Sequence, residues 1–88
     1  MGALALGGIA DAFTELNQLE DALGYYKKAA NYADNDLTTP LFLLKGAQVA
    51  LSLDAKSDAV SMLETLAADY AATPQATHVE VLLAQAQN

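Results

Sequence analysis

Residues 16–29, LNQLEDALGYYKKA, share their pattern with residues 53–66, LDAKSDAVSMLETL, at a constant offset of 37 positions. The offset aligns four pairs of apolar residues: Leu16 with Leu53, Ala22 with Ala59, Tyr26 with Leu63, and Ala29 with Leu66. A repeat of this length corresponds to two short helices and their connections. Because one helical hairpin cannot bury both of its faces alone, the repeat predicts hairpins that stack on one another.

Apolar residues along the rest of the chain also recur every three or four positions, which is the spacing of one helix face. Five such stripes occupy residues 6–16, 19–33, 43–51, 59–70 and 76–86. No segment alternates with the period of two that a half-buried strand requires. We therefore expect an all-α fold of five helices without a sheet, as a single domain over residues 1–88. It would contain a first repeat over about 3–36, a second over about 39–72 and a terminal helix over about 74–87.

Helix start signals support these boundaries. Asn17 followed by Glu20 has the spacing of a capping box, which predicts a helix start at Asn17. The dipeptides at residues 39–40 and 73–74 each place a threonine before a proline, which suits an N-cap and the first helical position. The segment 40–51, PLFLLKGAQVAL, is apolar nearly all round, so we expect neighbours to cover it on more than one side.

The composition limits the functions that the chain can have. Its 88 residues are 53% hydrophobic and 17% charged, which suits one small packed domain and excludes a disordered acidic tail. The net charge is −7, and four lysines are the whole basic inventory, so nucleic acid is not expected as a partner. The absence of cysteine excludes disulfides and thiolate metal sites. No apolar run reaches the roughly 18 residues of a membrane span, so no direct membrane insertion by this segment is expected.

The sequence offers little catalytic chemistry. His78 is the only histidine, and Glu80, two positions away, would point to a different side of a helix. We interpret His78 as a surface residue. Gly7 and Gly8 precede no phosphate-loop signature and are better explained by close helix approach. No serine lies in a glycine-framed nucleophile elbow. We expect no enzymatic activity, no cofactor and no metal site.

The two hairpins resemble the tetratricopeptide repeat (TPR). In the first repeat the resemblance rests on Leu6, Ile9, Ala10 and Phe13, the turn LNQLEDA, and then Ala22, Tyr26 and Ala29. In the second it rests on Leu43, Ala47, Ala50 and Ala59, with Leu63 and Leu66 in place of the aromatic residue and the last alanine. The resemblance implies a right-handed array of antiparallel helical hairpins, about two and a half repeats long.

The resemblance also implies a function, since TPR arrays commonly bind peptides on the concave surface of their first helices. The corresponding positions here give a candidate partner-binding groove formed by Asp11, Thr14, Leu44, Gln48 and Leu51. The basic clamp that holds a C-terminal carboxylate in some TPR proteins is missing from these positions. The first hypothesis is therefore a non-catalytic module that presents this groove to a peptide or partner domain. The alternative is a purely structural segment that extends a scaffold or self-associates through its terminal helices.

Residues 63–86 are also similar to a pattern found in repeat proteins of the bacterial cell envelope, although Ala71 stands where that pattern has proline. This similarity suggests a bacterial, envelope-associated protein on the periplasmic side, with the cytoplasm as the alternative. The chain opens within helix-like apolar sequence, so we expect it to be a fragment of a longer protein.

The aromatic and basic cluster at residues 25–28 looks chemical but fits helix packing. Tyr26 lies four positions after Ala22 on the apolar stripe, so it should be buried within its hairpin. Tyr25 is about 100° round the helix and should be partly exposed. Lys27 and Lys28 should then form a solvated face.

Overall fold

A computed structural model describes residues 1–32 and 35–87, and all regular structure in these ranges is helical. The α-helices are α1 (Ala3–Glu15), α2 (Leu19–Tyr32), α3 (Thr38–Ser52), α4 (Lys56–Asp69) and α5 (Val79–Gln87). A 3₁₀ helix (Pro74–His78) leads directly into α5. The described chain therefore confirms the expected all-α class and the number of helices. The predicted fifth helix begins with 3₁₀ rather than α geometry.

The turns after α1 and α3 have the same backbone conformation at the predicted offset of 37 residues. Asn17 and Asp54 both lie in the left-handed region, with φ of 58° and 57°. In the first turn the Gln18 amide donates to the Phe13 carbonyl over 2.8 Å, and in the second the Ala55 amide donates to the Ala50 carbonyl over 2.8 Å. Together with the bonds from the Asn17 and Asp54 amides, this is the Schellman motif, which ends a helix and reverses the chain.

Two of the predicted helix starts are corrected by this geometry. Asn17 ends α1 instead of capping α2, which begins at Leu19 with Gln18 as the residue before it. Before α3 the capping side chain belongs to Asn35, whose Oδ1 accepts the amides of Leu37 and Thr38 at 2.9 and 2.7 Å. The prediction that Thr39 caps this helix is therefore wrong.

The start at Thr73 is confirmed in position. Thr73 is the N-cap residue of the 3₁₀ helix, and Pro74 is its first residue, where the missing amide costs no hydrogen bond. The Thr73 hydroxyl nevertheless donates backward, to the Tyr70 carbonyl at 2.7 Å, and does not cap the helix that follows.

Helix α3 is the centre of the fold and contacts every other helix, as its apolar sequence predicts. Its Phe42 ring lies against Gly7 of α1, and its Gly46 lies against Met62 of α4 and Tyr26 of α2. A side chain at either glycine would overlap these neighbours. The glycines therefore let three helices approach α3 closely.

Each helix packs mainly on the helices next to it in sequence, and α3 also contacts α1 and α5. The backbones of α2 and α4 do not meet within the described residues. Three of the four pairs that the internal repeat aligned lie in the core: Ala22, Ala29, Ala59, Leu63 and Leu66 are fully buried, and Tyr26 is 3% exposed. The fourth pair does not, because Leu16 is 66% exposed and Leu53 is half-buried.

Candidate functional site

A cleft of about 320 Å³ opens between α1, α2 and α3 on one side of the molecule. Its lining is formed by Thr14, Leu19, Tyr26, Lys45, Gln48, Val49 and Ser52. Leu19, Tyr26 and Val49 contribute apolar groups, and the other lining residues contribute hydroxyl, amide and ammonium groups. We call this site the α1–α3 cleft. Its volume is at the small end of the range for ligand pockets, which is enough for one or two side chains of a peptide.

One polar cluster joins the three helices at the edge of the cleft. The Tyr26 hydroxyl donates a hydrogen bond to Asp11 Oδ1, and Lys45 Nζ lies 3.1 and 3.3 Å from the two oxygens of the same carboxylate. Asp11 therefore receives its partners from α2 and α3. Its charge is matched locally, which leaves the α1–α3 cleft close to neutral although the whole chain carries −7.

This cluster changes the acidity of the buried tyrosine. The pKa of Tyr26 is raised to about 12, first by burial and then by the hydrogen bond to Asp11 and its charge, against a lowering by the hydrogen bond to Thr14. The phenol stays protonated throughout the ordinary pH range and acts as a fixed donor. The role of Tyr26 at the cleft is therefore to hold Asp11 and to supply an apolar ring surface.

The structure brings together only part of the predicted groove. Thr14 and Gln48 line the α1–α3 cleft, and Asp11 lies at its edge. Leu44 and Leu51 are half-buried, pack against the hydrophobic core and do not line this cleft. The cleft instead uses the side of α3 that faces the first hairpin.

Lys45 is the residue of this site that sequence reasoning missed. It lies three positions before Gln48, so it shares a helix side with the predicted groove. Its partner, Asp11, is 34 residues away in sequence, and no local pattern connects them. The only available signal was that Lys45 interrupts an otherwise apolar helix.

The cluster at residues 25–28 behaves largely as expected. Tyr26 is buried, which confirms the packing role, and Tyr25 is half-buried, with its ring stacked on Phe13 at a centroid distance of 5.6 Å. Lys28 Nζ lies 4.6 Å from the centre of the Tyr25 ring, on its exposed side. Lys27 differs from the expectation of a solvated residue, because it forms a 3.0 Å ion pair with Asp58 of α4.

Two further depressions lie outside this cleft. One of about 190 Å³ lies between α2 and α4, where the Lys27–Asp58 pair crosses it. A broader one of about 470 Å³ lies at the first hairpin turn, beside Leu53, and carries the carboxylates of Glu20 and Asp21. The depression at the hairpin turn is formed largely by exposed side chains, whereas the one between α2 and α4 reaches the buried residues Ala30, Leu43 and Met62.

His78 is exposed at the end of the 3₁₀ helix, as expected for a surface histidine. Across residues 1–32 and 35–87, no three metal-binding side chains of the His, Cys, Asp or Glu type cluster together. None of the helices in the same ranges has the length and apolar character needed to cross a bilayer.

Comparisons of the chain with protein-family models, with curated proteins and with solved structures find no match.

Proposed function

We propose that the chain is a non-catalytic protein-interaction module whose α1–α3 cleft takes one or two side chains of a partner peptide. The observation that carries this proposal is the cleft itself, which combines the Tyr26 ring and Val49 with the polar groups of Gln48 and Ser52. Small pockets of this composition bind through apolar contact and gain orientation from a few polar groups.

The repeat arrangement belongs to the same proposal. Hairpins related by 37 residues, with equal turns at Asn17 and Asp54, support a TPR-like right-handed array. In such an array the first helix of each hairpin lines one continuous surface, and α1 and α3 are the first helices here. The α1–α3 cleft would then be the part of that surface where neighbouring repeats meet.

The local charge defines the kind of peptide. Lys45 is already paired with Asp11, so no unpaired cation in the cleft is available to hold a carboxylate. The surrounding surface is acidic, which disfavours acidic peptides and raises the association rate of basic ones. We therefore propose a neutral or basic peptide with an apolar anchor residue.

The test begins with random heptapeptides displayed on phage and selected on the full chain. The affinity of the selected peptides is then measured by titration calorimetry. Replacing the exposed Gln48 by alanine should weaken binding by about three- to tenfold, which is the effect of one lost hydrogen bond. Gln85→Ala, on the exposed side of α5, is the matched control and should leave the affinity unchanged. Peptides that bind both variants as tightly as the original chain would show that the α1–α3 cleft is not the binding site.

The second candidate is a structural segment that extends a scaffold or self-associates. It is favoured by the apolar outer face of α1, where Leu4 and Leu16 are 69% and 66% exposed. Sedimentation velocity over a wide concentration range tests self-association, since a single monomeric species at the highest concentration contradicts it.

A further inference from the structure

The outer side of α1 is open. Its apolar part is formed by Leu4, Gly8, Ala12 and the C-cap residue Leu16, and the exposed Glu15 lies among them. The four apolar residues follow one another every four positions, so they lie along one side of the helix. All four are exposed, and the space where a Gly8 side chain would project has no atom within 4 Å. We refer to these four residues as the α1 outer face.

The internal repeat shows what covers the equivalent surface in the second hairpin. At the offset of 37 residues, the four positions correspond to Leu41, Lys45, Val49 and Leu53 of α3. None of these four is exposed, because the first hairpin, α1 with α2, packs against this side of α3. Leu19 of α2 shares the cleft with Val49, and Leu53 lies beside the first turn of α2. The same helix side is therefore covered by an α2-type helix in one hairpin and open in the other.

The position of Asp21 indicates that a helix covering the α1 outer face should also carry a basic residue. Helix α2 reaches α4 through the ion pair of Lys27 with Asp58. Asp21 lies 37 positions before Asp58, is exposed, and forms no ion pair with the described residues. A helix that lies on α1 as α2 lies on α3 would bring its own residue equivalent to Lys27 to Asp21. Residues 1–26 contain no lysine or arginine, so nothing in this region repels a basic helix.

We propose that the α1 outer face is a docking surface for an amphipathic helix of a partner protein. The helix carries an apolar stripe like that of α2 and a basic residue that pairs with Asp21. The α2 and α4 helices of a second copy cannot supply this stripe, because the apolar side of α2 is covered by α1 and α3 and that of α4 by α3 and α5. The proposal shares the repeat arrangement with the proposed function but does not depend on peptide binding in the α1–α3 cleft, so the peptide selection and the experiments below test the two surfaces separately.

The experiment supplies such a helix in register. At the offset of 37, residue 38 is the repeat equivalent of residue 1, and residues 17–37 lead directly into it. A copy of residues 17–37, which contain α2 and its connection to α3, is therefore fused directly before Met1 of the full chain. We expect the melting temperature to rise by about 5–10 °C as the new helix covers the face. Leu4→Glu in this fusion should remove the gain. The same substitution in the unextended chain should leave the melting temperature nearly unchanged, since Leu4 is exposed.

A charge exchange tests the specific pairing. In the fused copy, replacing the lysine equivalent to Lys27 by glutamate should lower the melting temperature of the fusion. Adding Asp21→Lys in the original part of the same protein should restore it. A fusion that melts like the original chain, or one whose gain survives Leu4→Glu, would overturn the proposal. Dimerisation of the unextended chain that Leu4→Glu abolishes would assign the face to a second copy instead.

A second experiment does not use the fusion and therefore gives a result even if the extended protein misfolds. A synthetic peptide of residues 17–32 is titrated into the ¹⁵N-labelled chain, and amide chemical shifts are followed. We expect the largest shifts at Gly8 and Ala12, with Leu4→Glu removing them. Shifts confined to α5, or none up to millimolar peptide, would count against the α1 outer face.

Discussion

Tyr26 gives the most direct test of the packing described above, because its hydroxyl is both buried and bonded to a carboxylate. The pKa of Tyr26 is raised to about 12, while a tyrosine in the unfolded chain titrates near 10. The folded state therefore holds the phenolic proton more tightly than the unfolded state does. Stability from this source is fully present below pH 10 and is lost as the pH rises through 12.

The magnitude follows from the difference of about two pKa units. At 1.36 kcal/mol for each pKa unit, the free energy of unfolding should fall by about 2.7 kcal/mol between pH 9 and pH 12.5. Most of the fall should occur between pH 10 and 12, where the unfolded tyrosine is ionised and the folded one is not. Above pH 12 the contribution is exhausted, because both states are ionised.

Urea unfolding, followed by circular dichroism from pH 8 to 12.5, measures this loss. The informative quantity is the difference between the original chain and Tyr26→Phe, because contributions from all other groups cancel in it. At pH 8 that variant should be less stable by about 1.5–3 kcal/mol, because the hydrogen bond to a charged acceptor is lost. The difference should shrink or reverse as the pH passes 12. A constant difference over the whole range would refute the assigned pKa and the buried bond to Asp11.

Four further substitutions test the packing and the turns by chemical denaturation. Gly7→Ala should destabilise the fold by about 1–2 kcal/mol, because the new methyl overlaps the buried Phe42 ring and this outweighs the gain in helix propensity. Gly8→Ala is its matched control and should stabilise by up to about 1 kcal/mol, since that side of α1 is open. Asp54→Gly should stabilise by roughly 0.5 kcal/mol, because glycine adopts the left-handed conformation without strain. Leu63→Ala should cost about 2–5 kcal/mol at its fully buried position, and a loss below 1 kcal/mol would contradict the repeat alignment.

Much of the fold could be predicted because the same pattern of apolar residues occurs twice in the sequence, at an offset of 37 residues. Ala22 and Ala59, aligned from sequence alone, are both fully buried, and each is the fourth residue of its helix. The error at Asn17 has a physical cause, since asparagine suits both an N-cap and the left-handed residue after a helix. A local pattern cannot separate these two roles when one helix ends where the next begins.

The site was harder to predict because its contacts are not local. Asp11 and Lys45 meet only when α1 and α3 pack side by side, and Lys27 meets Asp58 only across α2 and α4. The resemblance to TPR proteins placed Leu44 in the groove, whereas the cleft uses the side of α3 that carries Lys45. A family pattern specifies which residues pack between helices. The rotation of α3 against the first hairpin decides which side of α3 faces the cleft.

The two outer surfaces of the helix stack differ in polarity, and this difference favours one end for docking. The exposed side of α5 carries Glu80 and Gln85, and Val81 is its one large exposed apolar residue. The outer side of α1 exposes two leucines, Leu4 and Leu16, together with Glu15. Covering exposed apolar surface is favourable, and α1 exposes more of it than α5 does. A partner helix would therefore gain more by covering α1. Leu4→Glu should then raise the solubility of the free chain, while Val81→Glu should change it little.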